Sequence, residues 1–308
     1  MRYSLMLLGA VLILFSSCQK GLTYTLDDDA DSLKADGTQL IRFTSFNVMG
    51  DSVVSIYNYN GKKQLLGIVT TGNDGATIYN DVMQLSRNTG GQISNIGRNT
   101  TFGALFPGGL SKQLSDAGIV APAATTPVQV NIAVHYPAAA TTFDYAVQTF
   151  ELAGVSGRDS IAFTYTNKHI TLASVYFTGI YNGNNVTAIQ KIAETTYTYD
   201  GFDNLVGSST KAVTAQSNTL QDAVKNAYGY ASNYNPLPLA YEAFLYTDEY
   251  RCSPNICIKQ TQQLLGKGNT KSVTISRSAE FNENNMPDFE IAFHSDVNKN
   301  YKGSYYYR

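Results

Sequence analysis

The sequence predicts a mainly β protein: an antiparallel meander of repeated hairpins in a curved sheet, with one or two short helices. Three observations carry that expectation. The 308 residues include 22 Tyr and 14 Phe but only 15% charged side chains, a composition that suits pleated, half-buried strands. Many segments alternate with period two. One turn pattern recurs along the chain, as expected when a supersecondary unit is repeated.

In chain order, the first 17 residues read as a secretory signal. Arg2 supplies the cation, and Leu5 to Phe15 holds only apolar residues and Gly9. That run is too short to cross a bilayer as a helix, which takes about 20 residues, and it ends in small residues as a cleavage site does. Leu14-Phe15-Ser16-Ser17-Cys18 resembles the lipobox of bacterial lipoproteins. The resemblance implies that Cys18 is acylated and becomes the mature N-terminus, with Phe15 standing where Leu is usual. Two or three acyl chains hold a protein to a membrane firmly, at about 0.8 kcal/mol per buried methylene. Residues 18–37 are then a polar tether, and the run Asp27-Asp28-Asp29-Ala30-Asp31 reads as a solvated stretch in preference to a calcium site.

Residues 38–308 make up the β-rich repeat domain. Val53, Ser55, Tyr57 and Tyr59 share one face of a strand; Val128, Val130, Ile132, Val134 and Tyr136 alternate with polar neighbours. Ile161, Phe163 and Tyr165 do the same, as do Thr195, Tyr197 and Tyr199. Between strands lie Tyr59-Asn60-Gly61-Lys62-Lys63-Gln64-Leu65, Arg87-Asn88 through Ile93, Tyr199-Asp200 through Leu205, and Phe281-Asn282 through Pro287. The shared form is an aromatic, Asn or Asp, three turn residues, an uncharged side chain and an apolar one. Asn and Asp bond to amides just ahead, and Gly tolerates positive φ. Shorter versions run from Tyr165 to Ile170 and from Tyr181 to Val186.

Two stretches depart from this pattern. Residues 97–142 carry Pro107, Pro122, Pro127 and Pro137 and read as a loop-rich insertion around one strand. Leu220, Val224, Ala227 and Tyr228 fall at helical spacing after Ser217, predicting a short helix over 217–228, with a second helical turn over Leu239 to Leu245.

Tyr197 through Leu205 resembles a YD repeat of the Rhs and wall-associated type. The layout is similar to a family of Bacteroidota lipoproteins of unknown function with degenerate hairpins of this kind. The likeness rests on Asn235-Pro236-Leu237, then Ser253-Pro254-Asn255-Ile256, then Phe281-Asn282 through Pro287. It is best over residues 160–308 and looser over 45–96. It implies fold class more than activity.

Function classes are narrowed by charge and motif. With 22 cations against 24 acids and no basic stripe, no nucleic-acid partner is expected. There is no Gly-x-Ser-x-Gly elbow. Ser208-Ser209-Thr210-Lys211 matches Ser-x-x-Lys, but on a strand Ser208 and Lys211 point to opposite faces. Gly266 to Lys271 lacks phosphate-loop spacing. His135, His169 and His294 are isolated, so no metal and no cofactor is expected. Asp200, Asp203, Glu283 and Asp288 lie in hairpin turns, where acids usually cap amides. Cys252 and Cys257 bracket a turn in an exported chain, which predicts a small disulfide.

These readings point to a lipid-anchored cell-envelope protein, most simply at the outer membrane on its periplasmic or surface face. Its role is non-catalytic binding or structure, its membrane contact the anchor, and its protein or glycan partner unknown. Two alternatives stay open. An accessory glycan-binding lipoprotein of an uptake system would show a concave Tyr-lined face. A hydrolase would gather two carboxylates in a cleft.

Overall fold

Period-two alternation over so many segments leaves each strand needing a neighbour on both sides. The computed structural model meets that need by closing the sheet. It describes residues 38–308 apart from 74–77, 102–122, 124, 153–154, 182–189, 215–216, 238–239, 247, 267–268 and 296–298. The signal segment, Cys18, the tether with its aspartate run and most of the Tyr181–Val186 turn lie outside the described residues.

The strands are β1 Leu40–Asn47, β2 Ser52–Tyr59, β3 Leu65–Asn73, β4 Ile78–Arg87, β5 Ile93–Thr101, β6 Pro127–His135, β7 Tyr145–Leu152 and β8 Val155–Thr166. They continue with β9 His169–Tyr181, β10 Gln190–Tyr199, β11 Leu205–Thr214, β12 Ser217–Tyr234, β13 Asn255–Gly266, β14 Asn269–Phe281, β15 Pro287–His294 and β16 Tyr301–Tyr307. Each pairs antiparallel with the next, and β1 pairs with β16 from Arg42↔Tyr306 to Asn47↔Tyr301. The expected open, curved meander is therefore corrected to a closed 16-strand barrel. Closure leaves no row of unpaired backbone groups, a constraint that local alternation does not reveal.

The predicted helix at 217–228 is also corrected: it is the first part of β12. A spacing of four residues belongs to both periods, so Val224 and Tyr228 share a face in a strand as well as in a helix. Val224 pairs with Leu264 and Tyr228 with Gln260 on β13. Among the described residues there is no α-helix. Between β12 and β13 lie two short 3-10 turns, Ala240–Leu245 and Glu249–Cys252.

The repeated turns share one construction. Asn60 Oδ1 accepts from the amides of Lys62 and Gln64 at 2.9 and 3.0 Å. Asp200 takes the amides of Phe202 and Asn204 at 2.8 and 2.9 Å, and Asn282 those of Asn284 and Met286. The uncharged residue closing the loop bonds back to the first, as Gln64 does to Asn60 and Gln92 to Asn88, both at 2.9 Å. Positive φ falls on the fourth loop residue, Lys63, Gly91, Asp203 or Asn285. Gly61 and Gly201, in the second place, do not carry it. Tyr197–Tyr199 pairs with Leu205–Ser208 across the clearest of these hairpins.

Parts of the barrel wall have apolar residues inside and polar ones outside. On β6, Val128, Val130 and Ile132 are buried while Gln129, Asn131 and His135 are exposed. Exposed charges sit on strands around the circumference: Arg42, Arg158, Lys211, Lys225, Lys259 and Lys302. A lipid-facing Lys or Arg near a bilayer midplane costs about 2–4 kcal/mol. Large apolar side chains, among them Phe46, Ile56, Leu264 and Phe293, are also exposed, but charges spread over so many strands suit water better than lipid.

The lower rim, where the repeated turns lie, is sealed by apolar residues at the starts of strands. Leu40, Leu65, Ile93, Ile170 and Leu205 are all buried to within 3% of their full area. Four tyrosines lock the start of the preceding strand, whereas the hydroxyl of Tyr165, before its own turn, has no partner among the described residues. Tyr59 Oη donates to the Leu40 carbonyl, Tyr199 to Ile170, and Tyr230 to Leu205, at 2.7 to 2.9 Å. Tyr307 does the same for Pro287. Arg87 fills the aromatic's place in its repeat, and its Nε donates to the Leu65 carbonyl at 3.1 Å.

Candidate functional site: the plugged lumen

The connection from β12 to β13 enters the barrel from the rim as a plug, and the two motifs flanking it are its feet. Asn235 Nδ2 donates to the carbonyls of Arg251 and Ser253 at 2.9 and 2.8 Å, and its Oδ1 takes the Leu237 amide. Ser253 Oγ accepts from the Leu205 amide at 3.0 Å and donates to Tyr230 Oη at 2.9 Å. The Asn255 amide donates to Asn204 Oδ1. Asn-Pro-Leu and Ser-Pro-Asn thus lock entry and exit of the plug to each other and to the rim.

Higher in the plug, aromatic and ionic contacts hold it to the wall. Phe143 meets Tyr136, Phe163, Tyr165 and Tyr241 edge-on, with centroids 4.9 to 6.2 Å apart. Phe244 packs edge-on to Tyr197 at 4.9 Å. Glu242 accepts both Nη atoms of Arg87, at 3.0 and 3.1 Å.

Two lumenal cavities flank the plug and share Asp248. One, of about 290 Å³, gathers Tyr197, Tyr228, Phe244 and Tyr250 with Asn226, Glu249, Gln260 and Gln262. Glu249 Oε1 accepts from Ser208 Oγ, from Tyr228 Oη at 2.7 Å and from Asn226 Nδ2 at 3.2 Å. Burial pushes the Glu249 carboxyl above its ordinary range against those three donors. The second cavity, of about 380 Å³, is lined by Ser55, Tyr57, Thr70, Asp81, Arg98 and Arg251 among others. Aromatic faces, amides and paired charges in one chamber can hold a small polar molecule by stacking and directed hydrogen bonds.

The sequence-predicted residues fall in different places. Ser208 faces the lumen at Glu249, while Lys211 is exposed on the outer wall opposite Glu194 and Asp222. His135 stacks on Tyr145 and meets Asp144 at 2.7 Å; His169 stacks on Tyr199 and meets Asp203 at 3.0 Å. His294 ends β15. Cys252 and Cys257 are free thiols in the structure, Cys252 at the end of the plug and Cys257 buried on β13. Burial pushes the Cys252 thiol up to about 12 and raises that of Cys257.

Sequence reasoning missed Arg87, Glu242, Glu249, Arg251, Arg277 and Glu290. A signal existed for three of them. Arg87 sits where its repeat calls for an aromatic, and Arg277 and Glu290 hold inward positions of strands β14 and β15, paired next to Ser276↔Phe293 and Gly303.

The sequence matches no family model and no curated protein. The fold is similar to a porin-like protein from Bacteroides vulgatus, at 10% identity over 88% of this chain and 99% of that one, with a TM-score of 0.48. A porin-like protein from Bacteroides uniformis gives 8% identity over 87% and 98%, with a TM-score of 0.46. A TcdB2-TccC3 structure aligns with 86% of this chain but 16% of its own length, at 10% identity and a TM-score of 0.27. With scores this low and about a tenth of residues identical, none of these likenesses fixes a family.

Proposed function

We propose that the mature protein is a lipid-anchored, water-facing β-barrel of the cell envelope, with a non-catalytic binding role exerted from its lumen. The observation that carries this reading is the distribution of charge: Lys and Arg exposed on strands around the outside, with a chamber of tyrosines, amides and carboxylates inside around a fixed plug. Cys18 holds the barrel to the membrane by its acyl chains, so the strands need not enter lipid.

The lining of the Glu249 cavity favours a saccharide as the ligand. Tyrosine rings offer flat faces to sugar C–H groups, and Asn226, Gln260 and Gln262 offer paired donors and acceptors to hydroxyls. The test is calorimetric titration of the purified barrel with a set of neutral oligosaccharides. Binding is expected, with at least a tenfold loss in the double variant Gln260→Ala, Gln262→Ala. Absence of binding across the set overturns the saccharide assignment.

A further inference from the structure

The larger of the two lumenal cavities, about 380 Å³, lies between the plug and the inner wall of β2 to β5. Strand register sets its lining in two levels. Tyr57, Ile68, Met83 and Arg98 stand side by side on successive strands, and Ser55, Thr70 and Asp81 form the next level. The plug adds Leu237, Tyr246, Asp248 and Arg251.

Only half of the charges in this lining are matched. Asp248 Oδ2 and Arg251 Nε lie 3.8 Å apart. Asp81 and Arg98 are half-buried in the same lining, yet among the described residues neither side chain has an ion pair or a hydrogen bond. The two are diagonal neighbours, since Met83, two residues along β4 from Asp81, pairs with Arg98. Such neighbours have Cα atoms about 7–8 Å apart, within reach of a long side chain. This acid and this base instead leave their charges to the cavity.

The balance of charge sets the chemistry of a ligand. A lone anion would match Arg98 and leave Asp81; a lone cation would do the reverse. A zwitterion matches both and leaves the net charge of the cavity unchanged. Beside the charges, Tyr57, Ile68, Met83, Leu237 and Tyr246 give the same cavity an apolar bed. Small organic ligands occupy cavities of about 300–1,000 Å³, and this one is near the lower end. We propose that it binds a free α-amino acid with an apolar side chain, its carboxylate on Arg98, its ammonium on Asp81 and its side chain on that bed. The site shares only Asp248 with the saccharide cavity and does not rest on that reading.

The test is equilibrium dialysis of the purified barrel against radiolabelled L-leucine, L-methionine and L-phenylalanine. The N-acetyl derivative and the amide of each serve as competitors. At least one of the three is expected to be retained. Blocking either end should weaken competition about tenfold or more, as when a charge-assisted hydrogen bond goes unmade. Arg98→Gln and Asp81→Asn should each cause a similar loss, and neither removes a contact within the protein. The double variant Gln260→Ala, Gln262→Ala should bind the amino acid unchanged. Retention of none of the three, or a blocked derivative that competes as well as the free amino acid, would overturn the proposal. Both outcomes are read on the unaltered protein, so a variant that fails to fold does not rescue it.

Discussion

Arg87 grips Glu242 through both terminal nitrogens, at 3.0 and 3.1 Å, while its Nε holds the Leu65 carbonyl. One side chain therefore does two jobs: it replaces the tyrosine that locks the rim in other repeats, and it pins the plug. Both partners are largely buried. Removing one member of such a pair strands the other, so Glu242→Gln should lower stability by about 2–4 kcal/mol. Urea unfolding of the purified barrel checks this. A change within experimental error would mean that the plug is held by packing alone.

The rim lock predicts a graded series. Tyr199→Phe and Tyr230→Phe each remove one hydroxyl that satisfies a buried strand-end carbonyl. Each should cost about 1 kcal/mol. The Tyr230 change should cost more, because its hydroxyl also accepts from Ser253 Oγ. Equal and negligible effects in denaturant titrations would remove the lock from the account of the repeat.

Asp159 predicts a pH dependence. It is fully buried on β8, its Oδ2 reaches Gln148 Nε2 at 3.5 Å, and its Oδ1 has no partner. Burial pushes the carboxyl from 3.8 to about 8. The folded state therefore binds a proton that the unfolded chain releases near pH 4. The stabilising effect is complete below that value and declines as pH rises to about 8. Asp159→Asn should flatten this part of the profile and stabilise the barrel at pH 8. The urea midpoint measured from pH 5 to pH 9 decides it, and a parallel slope in the variant would assign the effect elsewhere.

The two cysteines give a chemical test. As free thiols held up by burial, Cys252 and Cys257 should resist alkylation in the native barrel at pH 8. Both should react without reductant once the chain is unfolded in urea. Mass spectrometry that finds no alkylation in urea until reductant is added would instead establish the disulfide that their spacing suggests.

Much of this architecture was legible in the residues, and the rest shows where local pattern ends. Tyr197, Tyr199 and Leu205 marked a hairpin because Asp200 and Asn204 carry the turn chemistry in adjacent positions. Closure was not legible, because Arg42↔Tyr306 joins residues at opposite ends of the chain. Leu220, Val224 and Tyr228 misled because one spacing serves both helix and strand. The plug's feet, Asn235 and Ser253, stood out as motifs, but their purpose depends on bonds to Leu205 and Tyr230 that span dozens of residues. Glu249 had no signal at all, since its significance comes from Ser208, Asn226 and Tyr228 on two other strands.

The central claim is a barrel that faces water and touches the membrane only through Cys18. It is tested most directly by expressing the Cys18→Ala variant with an intact export signal and fractionating the cells without detergent. The account predicts that the variant no longer incorporates labelled fatty acid, leaves the membrane fraction, and runs as a folded, monodisperse species in plain buffer, while the unaltered protein stays with the membrane. A variant that remains in the membrane fraction and is released only by detergent would contradict the account, because the wall bearing Lys211, Lys225 and Lys259 would then have to lie in lipid.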